Sequence, residues 1–320
     1  MLSPRKLPRI GVQIAEPDAR SAIEAIVQAE RLGITAAWMT LGAVRPDPLP
    51  IFAAAALRTE RIGLGTSIIP TYPRHPFALA QAARVVGELA PGRFRLGIGP
   101  SHRPVIEQTW GLTFTRPLDH LAEYLRVVKA ALQQGGKVQF QGEFFRVEAD
   151  WGAPAGVPVL ISALRRRSYE LAGAQADGAI SWVSPLAHIE RVALPALAAG
   201  AQRAGRPRPP LVMQVGVAVH EDAAEVRAAA RSQFSVYPRL PFYQRMFAEA
   251  GFAEALQGTL SDAMIDAIVI WGSEQQIVAR LEQLAAVGVD EVLCSIVAAG
   301  DDPTRSRRRA LELLGELSRA

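Results

Sequence analysis

The sequence contains only one cysteine, and this scarcity excludes an internal disulfide. Cys294 lies in the apolar run Val292–Val297, and no spacing of cysteine and histidine typical of a metal site accompanies it. We therefore expect a buried, unreactive thiol and no metal centre.

An excess of charge of one sign is also lacking. The 320 residues include 35 lysines and arginines against 31 aspartates and glutamates, a net charge of +4. This excess is compatible with an anionic ligand, but it is too small to indicate nucleic-acid binding. The basic cluster Arg305–Arg309 is expected to form the solvated face of a last helix.

Long hydrophobic runs are absent as well. No apolar run approaches the roughly 20 residues of a transmembrane helix, so we expect no membrane partner. The segment Met1–Lys6 leads into a strand without the apolar stretch of a secretion signal, which favours a cytoplasmic protein. With 49% hydrophobic and 21% charged residues, the chain is expected to form a large core.

Short apolar runs alternate with amphipathic helices from one end of the sequence to the other. Because these runs are almost continuously apolar, they indicate parallel strands covered on both faces. The predicted strands are Ile10–Ala15, Ala36–Thr40, Ile62–Ile69, Phe94–Ile98, Val159–Ser162, Ala179–Val183, Val212–Val219 and Glu291–Val297. About eight strand–helix units without a dividing linker predict one (β/α)8 TIM-barrel domain over residues 1–320.

Two segments interrupt this alternation and are predicted to be short insertions. Residues of about 136–150 contain a hairpin pattern at Val138–Val147. Residues of about 240–266 are helical and include Phe242 and Tyr243. These apolar residues would either line a pocket for a hydrophobic substrate or pack on the barrel or on a second subunit.

The most unusual turn follows the fourth predicted strand and reads Gly97-Ile98-Gly99-Pro100-Ser101-His102-Arg103. Active sites of such barrels lie at the carboxyl ends of the strands. The turn is a poor match to a dinucleotide fingerprint, because His102 occupies the third glycine position and no acidic residue follows the next strand. We expect its glycines to allow close approach to a ligand and His102 to point into the barrel mouth.

Several segments resemble the bacterial luciferase-like monooxygenase superfamily, and together they cover nearly the whole chain. They are Arg61–Thr66 with His75-Pro76, Pro91–Gly99, Gln141–Phe144, Ala176–Gly178, Gly272-Ser273 and Gly288–Asp290. Within the superfamily, the chain resembles a branch that depends on the deazaflavin coenzyme F420. The segments that carry this finer resemblance are Pro70–Pro76, Gly99–His102 and Trp110–Leu112.

The resemblance implies a luciferase-like barrel that transfers a hydride between C5 of coenzyme F420 and a small organic substrate. An activated C=C, C=O or C=N bond is the expected substrate group. Sugar-phosphate dehydrogenases of the superfamily carry a histidine after strand 2, where this chain has Thr40 and Leu41, which argues against that reaction. An FMN-dependent monooxygenase is the alternative, and a non-catalytic flavin-binding barrel is a third possibility. The resemblance also implies a homodimer.

The same resemblance implies a set of cofactor contacts at the ends of several strands. These residues are Thr40, Thr66, Ser67, Ile68, Gly99, Pro100, Ser101, His102, Ser162, Ala163, Leu164, Arg165, Arg166 and Trp182. A cis peptide between Ser67 and Ile68 would form a bulge beneath the cofactor ring. Backbone amides of 99–102 and 162–165 would hold its phosphate, as a strand end entering a helix favours anions. Arg165 and Arg166 would reach the phosphate or the polyglutamate tail, or lie exposed on the surface.

His102 is the candidate catalytic residue. It occupies the position of a catalytic glutamate in the sugar-phosphate dehydrogenases, and its imidazole could exchange the proton that accompanies hydride transfer. It could also do no more than hydrogen-bond the cofactor. His120, His188 and His220 are expected on the surface or on helix flanks. Trp38, Tyr72 and Trp182 would either wall the pocket or pack in the core.

Overall fold

The computed structural model describes residues 7–42 and 45–319. Met1–Lys6, the segment behind the expected absence of a secretion signal, lies outside the described residues. The strands are β1 (Arg9–Gln13), β2 (Ala36–Met39), β3 (Gly63–Thr66), β4 (Ile69–Pro70), β5 (Phe94–Gly99), β6 (Lys137–Gln141), β7 (Arg146–Asp150), β8 (Val159–Ser162), β9 (Gly178–Ser181), β10 (Leu211–Val219), β11 (Val269–Gly272) and β12 (Glu291–Ile296).

The α-helices alternate with these strands. They are α1 (Ala19–Leu32), α2 (Pro48–Ala56), α3 (Pro76–Leu89), α4 (Pro117–Lys129), α5 (Arg166–Gln175), α6 (Leu186–His188), α7 (Leu194–Arg203), α8 (Ala223–Phe234), α9 (Pro241–Glu249), α10 (Asp262–Ile268), α11 (Glu274–Val287) and α12 (Pro303–Arg319). Short π-helical or 3₁₀ turns occur at Val105–Thr109, Ala130–Gln134, Ile189–Ala193, Tyr237–Arg239 and Ala253–Gln257.

Eight parallel strands close the barrel in the order β1, β2, β3, β5, β8, β9, β10 and β12, and β12 pairs again with β1. Each corresponds to one of the predicted apolar runs, so the (β/α)8 class is confirmed. The capping residues expected from the sequence are also found at the ends of α1. Asp18 caps α1 by accepting the Ser21 N–H at 2.9 Å, and Gly33 ends the helix with a φ of 89°.

The prediction of a continuous third strand over Ile62–Ile69 is wrong in its second half. The strand stops at Thr66 and resumes as β4, because Ser67 and Ile68 leave the ladder and bond to the end of β2. The Ser67 N–H donates to Met39 O at 2.7 Å, and the Leu41 N–H donates to Ile68 O at 3.2 Å. Sequence reasoning also missed β11, which follows α10 without a turn.

The amino-terminal end of the barrel is closed by a buried polar cluster of Arg95, Glu291 and Trp38. Arg95 donates two hydrogen bonds to the Glu291 carboxylate, at 2.7 and 2.8 Å, and Trp38 Nε1 donates a third at 2.9 Å. A Cβ atom at Gly65 would lie 2.3 Å from the Trp38 ring, so only glycine leaves room for it. Trp38 therefore packs inside the barrel and does not line a pocket.

Both insertions have the predicted type of structure. β6 and β7 form an antiparallel hairpin outside the barrel, and its turn is held by Glu123 of α4. The Glu123 carboxylate accepts the N–H groups of Glu143 and Phe144 at 2.9 Å. Burial opposes ionisation of this carboxyl, but these hydrogen bonds outweigh it and lower its pKa. The second insertion, between β10 and β11, packs α9 and α10 in a separate apolar cluster.

The remaining sequence features concern single residues and the surface. Cys294 is fully buried, and burial raises the pKa of its thiol, in agreement with the predicted unreactive cysteine. Among the described residues, no helix is both long and apolar enough to cross a membrane. The same ranges contain no group of three or more histidine, cysteine, aspartate or glutamate side chains arranged to hold a metal ion.

Candidate active site

A cavity of about 420 Å³ lies at the carboxyl ends of the barrel strands. The ends of β2, β5, β8 and β9 contribute to its wall, together with α4 and the insertion after β10. Among the lining residues, the only arginines are Arg165 and Arg167, at the start of α5. Most of the remaining wall is apolar, so the cavity combines one cationic region with a large uncharged one.

Most of the residues predicted as cofactor contacts line this cavity. They are Thr40, Ser67, Ile68, Pro100, Ser101, His102, Ser162, Ala163, Leu164, Arg165 and Trp182. Thr66, Gly99 and Arg166 do not. Thr66 is fully buried and joins β3 to β5, since its hydroxyl donates to Gly97 O and accepts the Gly97 N–H, both at 2.8 Å.

The interruption between β3 and β4 forms one part of the cavity wall. The peptide bond between Ser67 and Ile68 is cis, as the resemblance implied. The Thr40 hydroxyl donates to Ser67 O at 2.7 Å and fixes the segment against the end of β2. The chain thus presents Ser67 and Ile68 to the cavity from a position secured by backbone and side-chain hydrogen bonds.

The turn after β5 brings unpaired backbone donors to the cavity. Ser101 has a φ of 62°, an uncommon conformation for a residue with a side chain. Within the described ranges, the N–H groups of Ser101 and His102 have no acceptor. Glycine is required just before them, because a Cβ atom at Gly99 would lie 2.2 Å from Ser162 Oγ. Consecutive unpaired amides in such a turn form a binding position for an anion.

The imidazole of His102 lines the cavity without a hydrogen bond to any described residue. Its ring centroid lies 5.8 Å from that of Tyr243. Burial disfavours the charged form and lowers the pKa of His102, so the ring is neutral at neutral pH. A neutral imidazole can accept a proton or donate a hydrogen bond, and its acidic form becomes populated only as the pH falls.

At the start of α5, the backbone N–H groups without an acceptor are not the ones that were predicted to hold the phosphate. The N–H groups of Leu164 and Arg165 donate to Ser168 Oγ at 3.0 and 3.2 Å, and that of Ala163 donates to a neighbouring strand. Their use as phosphate ligands is therefore not supported. The N–H groups of Arg166 and Arg167 have no acceptor among the described residues. These two groups, instead of those of residues 162–165, are therefore the helix-start donors that could bind an anion.

The three arginines at this helix start have different surroundings. Arg165 forms an ion pair with Glu249 at 2.7 Å. Arg167 lines the cavity, although sequence reasoning did not single it out. Arg166 is exposed and does not line the cavity. All three arginines, with Val192 and Glu249, line a neighbouring hollow, so Arg166 differs from the other two in lining the hollow alone.

An aromatic wall completes the cavity and includes Tyr237, which sequence reasoning missed, beside the predicted Trp182 and Tyr243. Trp182 Nε1 donates to the Tyr237 hydroxyl at 2.5 Å, and the Tyr237 and Tyr243 rings lie 4.8 Å apart. Tyr72 does not line the cavity. Tyr237 lies just before the predicted insertion, and this position in the sequence was the only feature that could have indicated its place in the cavity wall.

The predicted positions of two histidines are wrong. His120 and His188 are buried, with exposed fractions of 6% and 1%, whereas the sequence placed them on the surface or on helix flanks. His120 stacks on Tyr72 with ring centroids 4.0 Å apart. His188 Nε2 lies 2.8 Å from Leu164 O, the carbonyl of a cavity-lining residue. Long-range packing, which helix position alone does not reveal, buries both rings.

Comparison with known proteins gives matches over most of the chain. A family model described as Luciferase-like monooxygenase matches residues 3–291. A Mycobacterium tuberculosis protein described as uncharacterized is 29% identical over 88% of this chain and 91% of its own length. The 5,10-methylenetetrahydromethanopterin reductase of Methanolobus tindarius is 27% identical over 90% of this chain and 92% of its own. The F420-dependent glucose-6-phosphate dehydrogenase of Nakamurella multipartita is 33% identical over 62% of this chain and 60% of its own length.

Solved structures share the fold. An F420-dependent secondary alcohol dehydrogenase, in complex with an F420-acetone adduct, aligns with a TM-score of 0.80 and 18% identity over 97% of this chain and 98% of that chain. The oxygenating constituent of 3,6-diketocamphane monooxygenase from Pseudomonas putida, in complex with FMN, aligns with a TM-score of 0.72 and 19% identity over 97% of both chains. At these identities the likeness concerns the fold alone.

Proposed function

The chain belongs to the luciferase-like monooxygenase family, and on this premise we propose that it is a coenzyme F420-dependent oxidoreductase. It transfers a hydride between the deazaflavin and a small organic substrate with an activated C=O, C=N or C=C bond. The observation that carries the proposal is one cavity lined by two arginines, by backbone donors and a histidine that have no partner among the described residues, and by apolar walls.

The donors fit the anionic part of such a cofactor. The N–H groups of Ser101, His102, Arg166 and Arg167 have no acceptors within the chain that the structure describes, and Arg167 adds a positive charge at the cavity. A phosphate accepts several hydrogen bonds at once, so either pair of unpaired amides suits it, and the pair at the start of α5 has the arginine charge beside it. Ser67 and Ile68 then contact the ring from the bulge between β3 and β4.

When bound in its reduced form, the deazaflavin supplies the hydride. His102 would exchange the accompanying proton, because its ring faces the cavity and no described residue occupies its nitrogens. Its protonated form would give a proton to the substrate atom that the hydride leaves negatively charged, and its neutral form would accept that proton in the reverse direction. The apolar walls exclude water from the reacting atoms. Thr40 keeps the bulge in place by its hydrogen bond to Ser67 O.

The choice of coenzyme F420 is supported by relatives whose names include it, among them the enzyme of Nakamurella multipartita. Sugar-phosphate oxidation is not part of the proposal, because Thr40 and Leu41 follow β2 in place of the histidine of those dehydrogenases. The homodimer and the cytoplasmic location stay predictions.

An FMN-dependent monooxygenase is the second candidate, favoured by the shared fold with a structure that contains FMN. Absorbance titrations with F420 and FMN separate the two. We expect saturable binding of F420 and at least tenfold weaker binding of FMN. The reverse preference would overturn the proposal. F420 binding without turnover of any acceptor, and without an effect of His102→Gln, would indicate a non-catalytic binding barrel.

A further inference from the structure

Two tyrosine hydroxyls on the cavity wall retain protons that no described residue accepts. Tyr237 accepts a hydrogen bond from Trp182, but its own proton has no acceptor, and the Tyr243 hydroxyl has no partner at all within the described ranges. Burial raises the pKa of Tyr237 to about 12 and that of Tyr243 well above its usual value. Both are therefore neutral hydrogen-bond donors at neutral pH.

The wall around these hydroxyls is apolar. Val105, Leu118, Leu121 and Phe242 line the same cavity. The two arginines that reach the cavity belong to the start of α5, and Arg165 is already paired with Glu249. An unpaired donor in apolar surroundings costs free energy, which a ligand acceptor recovers. A ligand carboxylate or phosphate could gain a counter-charge only from these arginines, whereas a neutral acceptor needs none.

Resting on the proposed function, we infer that Tyr243, supported by Tyr237, is the specificity-determining residue that hydrogen-bonds the oxygen or nitrogen of a neutral, largely apolar carbonyl or imine substrate. Its ring lies 5.8 Å from that of His102 and 4.8 Å from that of Tyr237. One polar atom of a substrate can thus meet a phenol beside the imidazole, while the rest of the molecule contacts the apolar wall.

The inference narrows the substrate class. A site that hydrogen-bonds a substrate atom discriminates strongly against an analogue without that atom, because its donors then stay unpaired. We therefore expect carbonyl and imine compounds to be preferred over isolated C=C bonds, and neutral compounds over anions.

The test compares acetophenone, ethylbenzene and benzoate, three probes of similar size that differ in the acceptor group. Their dissociation constants are measured by ligand-observed NMR in protein saturated with oxidised F420, which cannot reduce the ketone, and again without coenzyme. We expect acetophenone to bind about fivefold more tightly than ethylbenzene, the equivalent of about 1 kcal/mol for one neutral hydrogen bond. Benzoate is expected to bind more weakly than acetophenone.

Tyr243→Phe should remove most of the ketone preference while leaving ethylbenzene binding unchanged, and Tyr237→Phe should reduce it less. Tyr72→Phe is the matched control, because its hydroxyl donates to Thr115 O and it does not line the cavity. A ketone preference that survives Tyr243→Phe, or preferred binding of benzoate, overturns the inference. Failure of F420 to saturate the protein overturns the proposed function alone, since the titration without coenzyme still tests Tyr243.

Discussion

At the amino-terminal end of the barrel, Arg95 and Trp38 donate hydrogen bonds to the carboxylate of Glu291, a residue that is only 2% exposed. At the carboxyl end, His102 and Tyr243 face a cavity without hydrogen bonds to described residues. The same strands carry both ends, since β5 contains Arg95 near its start and leads into His102. The Glu291 carboxylate at the closed end is satisfied within the chain, whereas His102 and Tyr243 at the open end are left for ligands.

This difference separates stability from function along one barrel. Buried charges tolerate no loss of a partner, so substitutions at the closed end should lower the free energy of unfolding. Substitutions of His102 or Tyr243 at the open end remove groups without a partner among the described residues, so they should change binding and turnover with little effect on stability. The predictions below test that division.

The largest effect is expected for Arg95→Met. The change leaves Glu291 buried without its two charged hydrogen bonds, which typically costs about 3–5 kcal/mol. Urea denaturation measures the loss in unfolding free energy. Arg9→Met is the matched control, because Arg9 lies 4.0 Å from Glu291 with a side chain that is 62% exposed, and it should cost less than about 1 kcal/mol. Equal losses in the two variants would contradict the role of the closed end.

His120 should contribute to stability in a pH-dependent way. Burial lowers its pKa to about 4, whereas the unfolded chain protonates near pH 6.5. Between these values the unfolded state binds more protons, so stability is complete above about pH 6.5 and is lost as the pH falls toward 4. We expect this group to account for up to about 3 kcal/mol, measured as unfolding free energy against pH.

His120→Phe should flatten that part of the profile. His220→Gln serves as the control, because His220 hydrogen-bonds Glu225 and lies outside the aromatic cluster of His120. If the dependence of the unfolding free energy on pH were unchanged in the His120 variant, a group other than His120 would be responsible for the proton uptake.

His102→Gln should leave the unfolding midpoint unchanged and lower kcat/KM for the preferred acceptor by about 10²-fold, roughly 2.7 kcal/mol of transition-state stabilisation. The physical reason is the loss of the unpaired imidazole at the cavity. Steady-state kinetics with reduced F420 measures the change. His220 also follows a barrel strand but does not line the cavity, so His220→Gln should retain full activity. A variant as active as the wild type would limit His102 to a structural contact.

The smallest effect separates two adjacent arginines. Arg167→Ala should weaken F420 binding by about tenfold, because a charge beside the cavity is lost, whereas Arg166→Ala should change it by about twofold at most. Fluorescence titration of the coenzyme gives both dissociation constants. A larger effect of Arg166 would mean that the anionic part of the ligand enters the neighbouring hollow.

Much of the fold could be predicted because its signals are local. Each barrel strand is covered on both faces and is therefore largely apolar, so runs such as Val212–Val219 are visible without knowledge of their neighbours. The cis bond at Ser67-Ile68 came from resemblance alone. β11 was missed because it follows α10 directly, so no turn in the sequence marks its start.

The sequence by itself determined which elements form and that the segments after β3, β5 and β8 meet at one end of the barrel, since parallel strands share their direction. Only the tertiary structure decided which side chains face the cavity. Trp38 packs inside the barrel while Trp182 lines the site, and His120 is buried while His102 meets the cavity. The physical reason is that these outcomes depend on contacts between distant elements, such as the bond of Trp38 to Glu291 across 253 residues.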